Sequence, residues 1–353
     1  KSLGNGVDPI EVIEQYGADA LRFALITGNA PGNDIRYYPE KVEASRNFAN
    51  KIWNASRFVL MNLDEDLMDK YKNCKDYSIA DKWILSRVNS LVKEVTYNIE
   101  KFEMGIAAQK IYDFIWGEFC DWYIELVKPA MYGEDEKTKG VAYNVLNKVL
   151  TISLQLLHPI MPFITEEIYT HLCTEYESIT ISKWPEYNDE LKDLESEKDM
   201  EYVIEAIKAV RNVRTEMNVP FSRKAKVMVW ATEKSASESL KNGEDYFKKL
   251  ASTSELEFLN NKGDVPENVV SAVTKGAELF IPLLDLVDRD KEIERLNREK
   301  GKLEDEIERV EKKLSNKKFL LKAPKDVVDK EKEKACKYRE MLNTVLERIQ
   351  SLK

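Results

Sequence analysis

Histidine is nearly absent from this sequence: there are two in 353 residues, His158 and His171. With no H-E-x-x-H and no His pair, there is little material for metal catalysis or for a nucleophile–base couple. Cysteine is almost as sparse. Cys74, Cys120, Cys173 and Cys336 are scattered with no C-x-x-C. Neither a disulfide framework nor a zinc site is suggested, and a reduced, cytoplasmic compartment fits. Only 13 Gly and 11 Pro are present, which argues against a loop-rich β fold and for long helices. No uninterrupted apolar run approaches the ~18–20 residues of a membrane span. The most apolar stretch, Val149 to Ile164, is interrupted by Gln155, His158 and two prolines, so it reads as a buried helix and its end. Positive charge is in deficit, with 54 Lys and Arg against 63 Asp and Glu and a net charge of -9. That excludes a bulk basic nucleic-acid binder but leaves room for a local basic patch. The chain opens on Lys1 with no Met, basic n-region or apolar h-region. A signal peptide is therefore not expected, and a piece of something larger is.

What is present can fill two or three cores: the chain is 43% hydrophobic and 33% charged. Asp8-Pro9-Ile10-Glu11 carries a helix start, with an N-cap acid, Pro at the first position and Glu three after the cap. That helix breaks near Gly17. A second runs through Ala20 to Leu25 and stops at Gly28, and Ala30 to Asp34 reads as a loop. Long helices come next. They cover about Pro39 to Asn62, Ser78 (with Asp81 placed for a capping box) to about Phe102, about Gly105 to Lys128 before Pro129, and about Lys139 to Leu157 before His158-Pro159. A shorter one begins after Pro162. This spacing predicts an antiparallel bundle. Leu191 to Asp199, acidic and polar, reads as a connection. A helix from about Met200 to Met217 then leads into a small α/β unit. Its strands are expected at Val227–Trp230, Leu256–Leu259, Val269–Val273 and Glu278–Ile281, with helix over 235–251.

From Arg289 the pattern changes. Ile293, Leu296, Leu303, Ile307, Val310 and Leu314 alternate at three and four, with Lys300 in one slot. Ala335, Tyr338, Leu342, Val345, Ile349 and Leu352 repeat the pattern. Joined by a turn within Ser315 to Pro324, they predict an antiparallel coiled-coil hairpin. About 20 Lys and Arg against about 15 Asp and Glu make this stretch basic on an otherwise acidic chain. Lys312, Lys313, Lys317, Lys318, Lys322 and Lys325 fall in one run with no acid among them, at the expected tip. Such a run is either a solvated face or a contact for a phosphate backbone.

Several stretches carry a family resemblance. Lys1-Ser2-Leu3-Gly4-Asn5-Gly6-Val7-Asp8-Pro9 resembles the second half of the K-M-S-K-S loop of class I aminoacyl-tRNA synthetases, together with the residues just after that loop. Gly28 to Ile35 and Arg46-Asn47-Phe48-Ala49-Asn50-Lys51-Ile52-Trp53-Asn54 resemble the valine branch of that class. Phe119 to Glu125 and His158 to Glu167 are similar to the anticodon-binding bundle shared by the valine, isoleucine and leucine branches. The coiled coil with Lys313 to Phe319 and Ala323-Pro324 resembles the C-terminal arm of the valine branch. The resemblance covers essentially the whole chain. It implies a C-terminal fragment from the K-M-S-K-S loop onward, with the nucleotide-binding and editing regions of the family before Lys1. It also implies valine tRNA as partner, with no membrane and no DNA, and a monomeric parent that uses ATP and magnesium. By motif position Lys1 would balance charge on the ATP phosphates, so Lys1 and Ser2 are a remnant of the ATP loop. No catalytic residue, metal or cofactor is expected in the fragment itself, and it should not activate valine alone.

Within that frame the helix from Pro39 to Asn62 is the candidate for anticodon contact. At 100° per residue Phe48, Ile52, Ala55 and Val59 share one side, and Arg46, Asn50, Trp53, Asn54 and Arg57 share the other. The second set offers cations for phosphate, amides for base edges and an indole for stacking, which suits a single-stranded loop. Phe58 lies on the flank. The alternative is that the arginines pair with acids and Trp53 packs between helices. Asp121 and Glu125 look like paired acids one turn apart, but structural ion pairing is the simpler account. His158 is a helix-stop residue. Arg211 and Arg214 either hold the α/β unit against the bundle or reach RNA backbone. The expected fold is mainly α, with a remnant region (1–38), a helical bundle (39–190), a small α/β unit (191–286) and the coiled-coil arm (287–353). Rivals are a scaffolding protein with a coiled-coil arm, and the isoleucine or leucine branch, which the terminal coiled coil argues against.

Overall fold

The computed structural model describes residues 6–28, 37–286, 289–315, 333–343 and 345–346, with side chains in the long helix of the arm from residue 296. The expected loop at Ala30–Asp34 and the turn of the arm lie outside them. Contacts divide the chain into two compact units, one through Glu201 and one from Tyr202.

The first unit is helical. Helices α1 (Pro9–Tyr16) and α2 (Ala18–Ile26) are separated by Gly17, whose φ of 92° ends the first of them. The Asp8 carboxylate accepts from the Ile10 N–H at 2.8 Å, as the N-cap pattern requires. α3 (Pro39–Asn62) is next, then the short α4 (Glu65–Lys70). α5 (Ile79–Glu100) opens with a full capping box, Ser78 and Asp81 each serving the other's backbone N–H. Asp81 is also buried and accepts from the Tyr123 hydroxyl at 2.6 Å, so one carboxylate caps a helix and pins its neighbour.

The neighbour is where expectation and structure part. α6 (Met104–Asp113), a π-helical segment (Phe114–Tyr123) and α7 (Ile124–Tyr132) run without a break. Pro129 lies inside α7 and does not stop it. A proline removes one backbone donor near the end of the helix, and termination waits for Gly133, four residues on. The wider π turn re-spaces the aromatic side chains over ten residues, and such turns occur mostly where function or strain requires them.

α8 (Glu136–Leu157) begins earlier than expected, because Asp135 caps it by accepting from the Thr138 N–H at 2.9 Å. Its buried face includes Leu146, Val149, Leu154 and Leu157 and forms the core with Ile84, Val88 and Val95 of α5. Gly140 lets α4 approach closely: a Cβ there would lie 2.5 Å from Tyr71 Cδ2 and 2.8 Å from the Leu67 carbonyl.

α9 (Pro162–Tyr169) is held by α2. Pro162 has no N–H to satisfy. The next two donors, Phe163 and Ile164, go to the buried Asp19 carboxylate at 3.3 and 2.7 Å. Arg22 donates to the Ile160 and Pro159 carbonyls at 2.9 and 3.0 Å. His158 caps α8 and sits 2.8 Å from Thr165 Oγ1. The Thr165 hydroxyl donates to the Met161 carbonyl, so it accepts from His158, whose Nδ1 therefore carries the proton. The histidine is a structural clasp on this turn.

α10 (Leu194–Glu216) begins six residues before its expected start. The acids between Leu191 and Asp199 are the signature of a helix start, not of a linker. Asp193 accepts from both the backbone and the side chain of Ser196 at 2.9 Å, and Glu195 and Glu197 sit in the positive first turn. Burial opposes ionisation of Asp193, but the Ser196 hydrogen bonds outweigh it and lower its pKa.

The second unit is a mixed four-stranded sheet with helices. β1 (Ala225–Ala231), α11 (Lys234–Asn242), α12 (Glu244–Leu250), β2 (Thr253–Phe258), β3 (Val269–Thr274) and β4 (Ala277–Pro282) give the strand order β2-β1-β4-β3. The helix pair is the crossover that makes β1 and β2 parallel. β3 and β4 form a hairpin closed at Thr274↔Ala277. Gly276 in its turn has φ 74°, and a Cβ there would meet Ala236 at 2.9 Å and the Tyr202 ring at 3.0 Å. Arg211 donates to the Leu250 carbonyl at 2.6 Å, and the buried Arg214 to those of Pro220 and Arg223 at 3.0 and 2.7 Å. Both arginines thus serve backbone carbonyls of their own unit.

After the short α13 (Leu283–Leu286) comes α14 (Arg289–Ser315), and the arm continues in helix over 333–343. Leu296 and Leu303 of α14 cluster with Tyr338, Leu342 and Val345 of the returning helix. Glu311, further along α14 than both leucines, pairs with Arg339, which precedes Leu342 and Val345 in the return. The two helices therefore run antiparallel, as the heptads predict.

Candidate functional site

The surface of α3 is built by its own periodicity. Val42, Ser45, Phe48, Ile52, Ser56 and Val59 are buried, one stripe at spacings of three and four. Ser56, not Ala55, takes the fully buried slot, while Ala55 is half-buried. Phe48 belongs to a chain of rings: Phe23–Phe48 at 5.1 Å, Phe48–Tyr112 at 4.7 Å and Tyr112–Trp116 stacked at 5.5 Å. These contacts hold α3 rigidly against α2, α6 and the π-helical segment.

The opposite side carries Arg46, Asn50, Trp53, Asn54 and Arg57 in one row. Arg46 is used within the fold: it pairs with Glu43 at 3.2 Å and lies 5.5 Å over the Tyr16 ring. The other four remain open. Asn50, Asn54 and Arg57 are exposed, Trp53 is 41% exposed, and none has a side-chain partner among the described residues. Phe58, on the flank, is half-buried beneath Lys128, whose Nζ lies 5.4 Å from the ring.

Two residues on that flank, Lys51 and Trp116, carry no functional signal in the sequence. Lys51 Nζ sits 3.8 Å over the Trp116 ring and 2.5 Å from the Asp121 carboxylate. Only the π-helical spacing, which no short motif announces, brings Trp116 and Asp121 to the same lysine. Asp121 and Glu125 do not act as a pair: Glu125 is bound to Lys128 at 2.5 Å, so each acid has its own cation. Cys120 beside them is inert, since burial pushes its thiol up to about 12.

On the other side of the row a cavity of about 190 Å³ lies between α3 and α9. Trp53, Ser56, Arg57 and Leu60 line it from α3, and Glu167, Ile168 and His171 from α9 and its end. The hydroxyl of Ser56 is buried with no hydrogen-bond partner among the described residues. His171 Nδ1 is 2.8 Å from the Glu167 carbonyl, so that nitrogen donates to it, and Nε2 has no hydrogen-bond partner among the described residues. The two walls are more than a hundred residues apart in sequence, so spacing gave no sign of the cavity.

In the arm, Lys312 and Lys313 are exposed at the end of α14, and Lys312 pairs with Glu308 at 2.5 Å. Lys317, Lys318, Lys322 and Lys325 lie outside the described residues, as do Lys1 and Ser2. Among the described residues no group of three His, Cys, Asp or Glu is placed to hold a metal. Nor is any described helix long and apolar enough to cross a membrane.

Comparison with known proteins adds three family matches. Residues 81–229 match the anticodon-binding domain of tRNA ligase, and 288–353 the valyl tRNA synthetase tRNA binding arm. Residues 1–37 match the class I tRNA synthetases for I, L, M and V. α3 lies outside all three ranges, so its reading rests on its own side chains. The chain is similar along its whole length to the valine–tRNA ligases of Clostridium perfringens (67% identity over 352 residues), Clostridium tetani (69% over 353) and Bacillus cereus (46% over 352). The matches take in 100% of this chain and 40% of each relative. Among solved structures, a Mycobacterium tuberculosis methionyl-tRNA synthetase matches 47% of this chain and 34% of its own, at 24% identity and a TM-score of 0.41, a likeness too slight to add to these.

Proposed function

Because this chain belongs to the valine–tRNA ligase family, of whose members it spans 40%, we propose that it is the tRNA-recognising portion of such an enzyme. The helical unit grips the anticodon stem and loop. The coiled-coil arm reaches the elbow of the tRNA and sets its lysines on phosphates. Attachment of valine, with ATP and magnesium, falls to the remaining length that the relatives possess. Lys1 and Ser2 are the part of this chain that resembles the ATP loop. The enzyme works in the cytoplasm as a monomer.

One observation carries the reading of the helical unit: the open row Asn50, Trp53, Asn54 and Arg57 on a helix whose other side is locked into the core. Two amides, an indole and a guanidinium without partners among the described residues make a surface for unstacked bases and their phosphates. An exposed Trp on a rigid helix loses little on binding, and a base stacked on it contributes about 1–3 kcal/mol. Two contact regions, one on the anticodon loop and one on the elbow of the tRNA, also raise the effective concentration of the acceptor end at the active site. The test is the affinity of the chain for a valine-tRNA anticodon stem–loop after Arg57→Gln and Asn54→Ala. Each is expected to weaken binding about tenfold, in the range of one charge-assisted or base-edge hydrogen bond. Unchanged affinity in both would remove α3 from the interface.

A further inference from the structure

The cavity between α3 and α9 is not needed for the open row to work, yet it has the features of a site. It adjoins that row, since Trp53 and Arg57 belong to both. It is mostly apolar, walled by Trp53, Leu60 and Ile168, and its volume of about 190 Å³ accepts a flat ring. Pockets that hold whole cofactors run to about 300–1,000 Å³, so a sugar and phosphate would stay outside. Ser56, 1% exposed, carries an orphaned hydroxyl at this cavity. A buried hydroxyl left unpaired is costly, and a ligand supplying a partner would recover that cost. At the rim, exposed Glu167 offers a carboxylate acceptor beside the ring of His171, and Arg57 is an open cation.

Resting on the RNA-binding reading above, we propose that this cavity receives one nucleobase turned out of the bound loop. The ring enters beside Trp53. An exocyclic amino group faces the Glu167 carboxylate, with the His171 ring beside it. The Ser56 hydroxyl bonds the inner edge, and Arg57 holds the phosphate at the mouth. A protein side chain would use the apolar walls but leave the Glu167 carboxylate and Arg57 idle, so a base is the better occupant. Ser56, Leu60 and His171 are then specificity-determining residues beyond the row itself.

A double-mutant cycle tests this with the whole chain. The anticodon stem–loop is made with an abasic residue at each loop position in turn. Each is titrated against the wild-type chain, Leu60→Trp (which fills the cavity) and Trp53→Ala (which removes a wall at the surface), with folding checked by circular dichroism. In the wild type, one abasic position is expected to weaken binding about tenfold, and in both variants that same change is expected to cost less than about twofold. Uridine, which has no amino group, is expected to bind at that position no better than the abasic residue. If every abasic position costs the same in wild type and variants, no base enters the cavity and a protein side chain becomes its occupant. Uridine equal to the native base would likewise overturn the assignment. A wild-type chain that binds no stem–loop at all would overturn the function reading itself, a different failure.

Discussion

Asp19 is the point at which the fold and the candidate site depend on one carboxylate. It lies on α2, is 8% exposed, and serves as the N-cap that α9 lacks in its own sequence, since Met161 offers no side-chain acceptor. Replacing it with Ala removes acceptors for two helix N–H groups, at 3.3 and 2.7 Å. Loss of an N-cap costs about 1 kcal/mol, with a range of about 0.5–2. Loss of the negative charge at the helix N-terminus adds about 0.3–1 kcal/mol. The burial of the site keeps water from repairing both bonds, so the sum for Asp19→Ala is about 2–3 kcal/mol. Asp19→Asn keeps an acceptor and loses the charge, so it should cost about 0.3–1 kcal/mol. Urea unfolding monitored by tryptophan fluorescence suits the test, because all the tryptophans except Trp230 precede Glu201 and report on the helical unit. α9 carries the Glu167, Ile168 and His171 wall of the cavity, so Asp19→Ala should also weaken stem–loop binding although Asp19 touches no RNA. A cost below about 0.5 kcal/mol, or an equal cost for Asn and Ala, would refute the capping argument.

Gly140→Ala should destabilise the chain by about 1–3 kcal/mol, because the Leu67 backbone cannot yield to the new methyl, and this outweighs the ~1 kcal/mol by which a helix favours Ala. A stabilised variant in a urea melt would show that α4 and α8 are not so close. Burial, the larger effect, holds the His158 pKa below the ordinary imidazole value, against the pull of Glu166 and Asp19. A lowered histidine pKa means the unfolded chain binds the extra proton first. Stability is therefore full above about pH 6.5 and declines as pH falls through that value toward the lowered one. His158→Gln should flatten that decline, and an unchanged pH profile would contradict it. In the arm, replacing Lys312, Lys313, Lys317, Lys318, Lys322 and Lys325 with Gln should lower tRNA affinity and flatten its salt dependence, because a tip that neutralises fewer phosphates releases fewer counterions. The same affinity and slope would take the arm out of the interface.

Much of this architecture can be read from residues that announce themselves locally. Pro39 and the periodicity behind it bound α3, Ser78 and Asp81 announce their capping box, and the heptads from Leu296 announce the arm. The misreadings have a common cause: each concerned a residue whose meaning depends on what it contacts. Acids before α10 read as a linker until Asp193 is seen capping the helix. Pro129 reads as a stop, though only one hydrogen bond depended on it. The open row on α3 was legible from 100° spacing, but Arg46 was already committed to Glu43 and Tyr16. The π turn that gathers Lys51, Trp116 and Asp121, and the cavity formed with α9, come from tertiary packing and leave no mark at short range.

The most direct measurement of the central claim is binding of the chain to a valine tRNA transcript and to the same transcript with its anticodon replaced, across a series of salt concentrations. A selective loss on replacement that persists as salt rises is expected, since base contacts are less salt-dependent than phosphate contacts. Equal binding to both transcripts with a steep salt dependence would contradict it, leaving a basic arm on a phosphate backbone and no reading by α3.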